Sequence, residues 1–123
     1  MNFSKFLIES KKKSINGFLK FIMKELNLSN LPKIVIIDDP QFSIKNKTFG
    51  TFDDIDNCIK IQIYGRHNLD IFRTLAHEIV HYTQKKSGKE LDGNDGSVDE
   101  NKANAKAAVI MRKYSKIIKS HGY

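Results

Sequence analysis

The sequence predicts an α+β fold in a single domain spanning residues 1–123. Three observations predict it. Three stretches, near residues 3–27, 70–86 and 97–118, repeat apolar residues at intervals of three and four, the period of an amphipathic helix. Two shorter ones, residues 33–37 and 58–64, are rich in β-branched side chains, and the second alternates apolar with polar like a strand half inside a core. A chain of 123 residues, 40% hydrophobic and 28% charged, suffices for one core in a soluble domain but leaves nothing for a separate substrate domain.

In chain order, Phe3, Phe6, Leu7, Ile15, Phe18, Leu19, Ile22, Met23 and Leu26 recur at helical intervals, while Lys11-Lys12-Lys13 and Gly17 weaken the middle. The expectation is one interrupted helix, or two short ones, packed across the core. Residues 27–32 carry the turn signals that end it. Lys33-Ile34-Val35-Ile36-Ile37, bounded by Pro32 and Asp38-Asp39-Pro40, reads as a mostly buried strand. Residues 41–51 have room for a second strand, with a turn at Gly50. Residues 52–57 read as a solvated acidic turn, because their carboxylates lack the spacing of a calcium-binding loop.

Residues 58–64 then form a strand with Ile59, Ile61 and Ile63 inward, closed by Gly65-Arg66-His67. Asn68 or Asp70 is placed to cap the next helix, which runs to about Lys86, and Gly88 suits its C-terminal cap. Because this strand feeds directly into that helix, it is expected to border a cleft and to offer its edge to an extended peptide. A Gly/Asp/Asn-rich loop over residues 87–96 leads to the last helix, from Ser97 to Ile117 or Ile118.

The central helix contains His77-Glu78-Ile79-Val80-His81, an H-E-x-x-H motif. At 3.6 residues per turn the two histidines lie one above the other, so both imidazoles reach a single metal ion, with Glu78 beside it. Phe72, Leu75, Ala76, Ile79 and Val80 form the apolar stripe of the same helix, so one flank enters a core while the other faces a cleft. Two neutral imidazoles and one carboxylate suit one Zn²⁺ per chain, with a fourth position for a water that the metal acidifies and Glu78 deprotonates. A motif of this form arises by chance in roughly one chain in a few hundred of this length. The apolar stripe beside it is what argues against a merely solvated face.

The third ligand is expected from the last helix. Glu100 lies nineteen positions after His81, enough for the loop to bring a second helix against the first. Ala103 would keep that crossing close, and Asn104, on the same face as Glu100, could orient a ligating histidine by hydrogen bond. Ser97-x-x-Glu100 is also a capping-box pattern, in which the glutamate turns back to its own helix. Asp99, Asp95 and Asp92 are the substitute acids in that case. His67 and His121 are weaker ligand candidates, since a lone histidine is more often a surface or packed residue.

His77-Glu78-x-x-His81 followed by Glu100-x-x-Ala103-Asn104-x-x-Ala107 resembles the zincin metallopeptidases of the gluzincin type, and most closely the ImmA/IrrE-type branch. SprT-like and minimal single-domain gluzincins are close competitors for the resemblance. The resemblance covers roughly residues 50–112, including Thr74-Leu75-Ala76 before the first histidine. It implies a zincin-like fold with an N-terminal helix, a small twisted sheet, an active-site helix and a C-terminal helix carrying the third ligand. It also implies zinc held by His77, His81 and Glu100, Glu78 as general base and acid, and a protein substrate. Members of the ImmA/IrrE-type branch often cleave repressor proteins and so act as regulatory switches.

The expected reaction is hydrolysis of a peptide bond, with a donor needed for the developing oxyanion. Tyr64, His67 and Tyr82 are the candidates by proximity in sequence. The formal charge of +7 allows weak association with nucleic acid, yet the lysines are scattered and no RNA-binding or helix-turn-helix pattern accompanies them. Two other readings follow from the same residues: a zinc-bearing binding module without catalysis, and a small basic nucleic-acid-binding protein. The single Cys58 excludes an internal disulfide and a thiolate zinc site. No run approaches membrane-spanning length, and the N-terminus lacks the apolar stretch of a secretory signal, so the expected location is cytoplasmic, with no membrane partner.

Overall fold

The computed structural model describes residues 3–87 and 98–120, which form a mixed α+β fold of four helices and one three-stranded sheet. Helix α1 spans Phe3–Glu25 and strand β1 Lys33–Ile37. Helix α2 covers Gln41–Asn46, β2 Gly50–Asp53, β3 Cys58–Gln62, α3 Asn68–Lys86 and α4 Val98–Ser120. Among the described residues no helix is long and apolar enough to cross a membrane.

α1 is continuous where the sequence suggested an interruption. Lys12, Lys13 and Gly17 all lie on its exposed side, so they interrupt no packing, while Ile15, Phe18 and Ile22 are buried. The helix stops at a Schellman motif: Asn27 takes a left-handed φ of 54°, its amide donates to the Lys24 carbonyl, and the Leu28 amide donates to Met23 at 2.8 Å.

The sheet has the order β1-β3-β2, with β1 parallel and β2 antiparallel to β3. This corrects three expectations. Residues 41–46 form α2 rather than a strand, because Asp39 accepts the Gln41 amide at 2.9 Å and Pro40, whose ring presets φ near the helical value, stands at the N-cap. Gly50 opens a strand instead of making a turn, and that strand takes in Phe52 and Asp53 before the turn over residues 54–57. Most important, β3 is the central strand and β1 and β2 are the edges. Covered on both sides, β3 buries Cys58 and Gln62 as well as Ile59 and Ile61, so the simple in-out alternation fails and its edges are taken.

The core lies where α1, α3, α4 and the sheet meet. Ile59, Ile61 and Ile63 are buried as expected and share one cluster with Phe18, Ile71, Leu75, Ile79 and Ile110. Phe18 stacks on Phe72 with ring centroids 4.7 Å apart, and Tyr114 sets its edge against both rings. Each large side chain buried in this way contributes about 1.5–3 kcal/mol. Ala103 and Ala107 are buried where α4 meets the core, small enough to bring α4 close to α3.

Candidate metal centre

α3 begins at a cap that the sequence reading did not choose. His67, rather than Asn68 or Asp70, stands at the N-cap, and its Nδ1 accepts the Leu69 amide at 3.2 Å. From there Ile71, Leu75 and Ile79 turn into the core. His77, Glu78 and His81 look along the remaining flank into a cavity of about 1040 Å³ bounded by α2, β2, α3 and α4. Glu100, at the start of α4, enters it from the facing helix.

The three expected ligands converge. His77 Nε2 lies 2.7 Å from Glu100 Oε1, His81 Nε2 lies 3.0 Å from Glu100 Oε2, and the two Nε2 atoms are 3.1 Å apart. With Glu100 ionised, hydrogen bonding cannot make all three contacts favourable. If both nitrogens carry protons for the carboxylate, two donors face each other; if one does not, its lone pair faces an oxygen. A cation among them turns every contact into ligation. Tetrahedral coordination with bonds of about 2.0–2.1 Å has edges of about 3.3 Å, close to the observed separations, so the donor set fits a divalent metal.

His81 is held by its second nitrogen. Nδ1 lies 2.9 Å from Gln84 Oε1, one turn along α3; donating there leaves the Nε2 lone pair turned toward His77 and Glu100. Asn104 lines the same cavity from α4, and the hydrogen-bond partner of His81 Nδ1 is Gln84. Glu78 is buried in the cleft wall at 9% exposure. Burial first, and then the negative charge of Glu100, pushes its pKa up to about 8. A carboxyl group in that range exchanges a proton readily near neutral pH.

The edge strand forms one border of the cleft. A β-carbon on Gly50 would meet Thr74 Cγ2 at 2.5 Å and Glu78 Cγ at 3.5 Å, so only glycine lets β2 lie this close to the helix. Thr51 and Phe52 line the cavity; the residues of β3 do not. Arg66 fastens the arrangement. Its guanidinium donates to the Gln62 carbonyl at 3.4 Å, to the Asp70 carbonyl at 3.0 Å and to Thr74 Oγ1 at 2.8 Å, and sits 4.2 Å from the centre of the Phe49 ring.

None of the three oxyanion-donor candidates lines this cleft. Tyr64 is 51% exposed at the end of the sheet, His67 caps α3, and the Tyr82 hydroxyl donates to Asn30 Oδ1 at 2.8 Å on another side of the helix. Gly88, the residue-97 end of the capping box, Asp92, Asp95, His121 and the side chain of Asp99 lie outside the described residues. The sequence reading missed Gln84, Arg66 and the close approach of Gly50. The signals available were position i+3 from a ligand for Gln84 and a glycine beside a strand-forming run for Gly50. Compared with protein-family models, curated proteins and solved structures, the chain matches none of them.

Proposed function

We propose that the protein is a zinc-dependent metallopeptidase of the zincin class, gluzincin type and ImmA/IrrE-like, that hydrolyses peptide bonds in a protein substrate. One observation carries the reading. His77 and His81 of α3 and Glu100 of α4, nineteen residues after His81, bring ligand atoms within 4.8 Å of one another beside a buried carboxyl group, Glu78. A structural cluster has no need of that fourth group.

Zinc at this centre would supply an acidified water and polarise the scissile carbonyl. The chain's own residues do the rest. Glu78, buried beside the ligand set, accepts the water's proton as a carboxylate, the form that an adjacent dication favours, and returns it to the departing amine. Gln84 keeps His81 turned toward the ligand set. Gly50 lets the edge strand close one side of the cleft and limits access of water.

The test is metal analysis and proteolysis on the same preparations. Wild type should carry one zinc per chain and cleave an unfolded protein; Glu78→Gln should keep the zinc and lose at least about a hundredfold in rate. His77→Ala and Glu100→Ala should lose both. Zinc retained in Glu100→Ala would reduce Glu100 to a helix cap, and zinc without cleavage in wild type would leave a binding module.

A further inference from the structure

α2 turns only Phe42 and Ser43 inward, and both are half-buried. A helix in a globular protein normally turns its apolar residues into the core, yet none of the six residues of α2 is buried. Polar bonds hold it instead. The Ser43 amide donates to the side-chain carbonyl of Gln62 at 2.8 Å, and Asp39 accepts the Gln41 amide. Ile44 is left spare: it is 67% exposed, on the wall of the cavity that His77, His81 and Glu100 also line. Phe49, 43% exposed, shares that wall, and the Arg66 guanidinium over its ring fixes its position.

We infer that this wall is a side-chain subsite, in which Ile44 and Phe49 receive a bulky apolar side chain from an extended polypeptide whose backbone lies in the metal cleft. The polypeptide nature of the occupant rests on the peptidase reading. Continuity favours that occupant, because the apolar wall and the ligand set belong to a single cavity of about 1040 Å³, room for a segment of chain rather than for a lone side chain. Size and charge follow from the lining. A small side chain would leave Ile44 and Phe49 in water; Ser43, Lys47 and Thr48 line the same cavity, so the apolar preference is confined to the one position that Ile44 and Phe49 flank.

The test is equilibrium binding, which requires no cleavage. Zinc-loaded Glu78→Gln protein is titrated with two labelled peptides of about twelve Ser, Thr, Gln and Ala residues that differ only in a central Leu or Ala. The Leu peptide should bind about tenfold more tightly, the scale set by burying most of one such side chain. Adding Ile44→Ser should shrink the difference to less than about twofold, and adding Ile44→Leu should preserve it. Zinc content should stay constant throughout, which checks that each variant is folded. Equal binding of the two peptides, including no binding of either, overturns the inference, as does a preference that survives Ile44→Ser. A Leu preference in a protein that never cleaves leaves the subsite standing and removes the peptidase reading; cleavage by wild type without apolar preference does the reverse.

Discussion

Gly50 and Thr74 stand so close that a β-carbon on the glycine would lie 2.5 Å from Thr74 Cγ2. Thr74 has little freedom to move aside, since its hydroxyl donates to the Asp70 carbonyl at 3.1 Å and accepts from Arg66 at 2.8 Å. Gly50→Ala should therefore lower stability by about 1–3 kcal/mol, the usual range for an overpacked methyl group. Thr74→Ser in the same chain should recover most of the loss, because it deletes Cγ2 and keeps the hydroxyl. Denaturant melts of the two variants check the pair, and a Gly50→Ala protein as stable as wild type would sink the argument.

Glu78 makes the metal-free protein sensitive to alkali. Its folded-state pKa, about 8, lies above the ordinary value of 4.5, so between those limits the folded chain holds a proton that the unfolded chain has released. The contribution is present in full below pH 4.5 and is lost as pH rises through 8. In chelator the stability should fall across that window by at most about 1.4 kcal/mol per pH unit. Glu78→Gln, neutral at every pH, should flatten the slope. A wild-type curve that rises over the same window contradicts the assignment.

Zinc should stabilise the fold by joining α3 to α4 through side chains. At a free concentration one hundred times the dissociation constant the gain is about 2.7 kcal/mol. Thermal melts with zinc and with chelator should differ accordingly in wild type and coincide in His77→Ala. Hydrogen exchange should register the protection at the start of α4, where Glu100 sits, more than at its far end.

Gln84 should matter to metal affinity without touching the metal. Its Oε1 lies 2.9 Å from His81 Nδ1, and losing such an orienting partner typically costs about tenfold to a hundredfold. Gln84→Ala should weaken zinc binding by about that factor, and Gln84→Glu should restore it, since a carboxylate accepts the same proton. Competition with a chromophoric chelator measures both. Unchanged affinity in Gln84→Ala would leave the histidine oriented by its ring packing alone.

The ligand set was legible in the sequence because helix periodicity fixes relative direction: a histidine pair at i and i+4 points one way wherever the helix lies. Glu100 was legible on different grounds: the need for a third ligand and a nineteen-residue span long enough to bring the last helix back. The identity of the cleft's border was not. Residues 58–64 have the stronger strand pattern, and pattern strength reports burial, which is greatest in the middle of a sheet rather than at its edge. The weaker segment, Gly50–Asp53, became the border. Proximity in sequence also misled for the oxyanion donors: Tyr82, one residue beyond a ligand, is rotated about 100° around the helix axis and meets Asn30 instead.

Gln62 sits at 3% exposure in β3, out of reach of anything that enters the cleft, yet its side-chain oxygen is what holds the Ser43 amide and with it the rim on which Ile44 stands. The aperture is thus set from behind, through one amide group in the middle of the sheet. If the cleft takes a peptide as proposed, its selectivity should change on altering a residue behind its wall, which a screen confined to the opening would overlook.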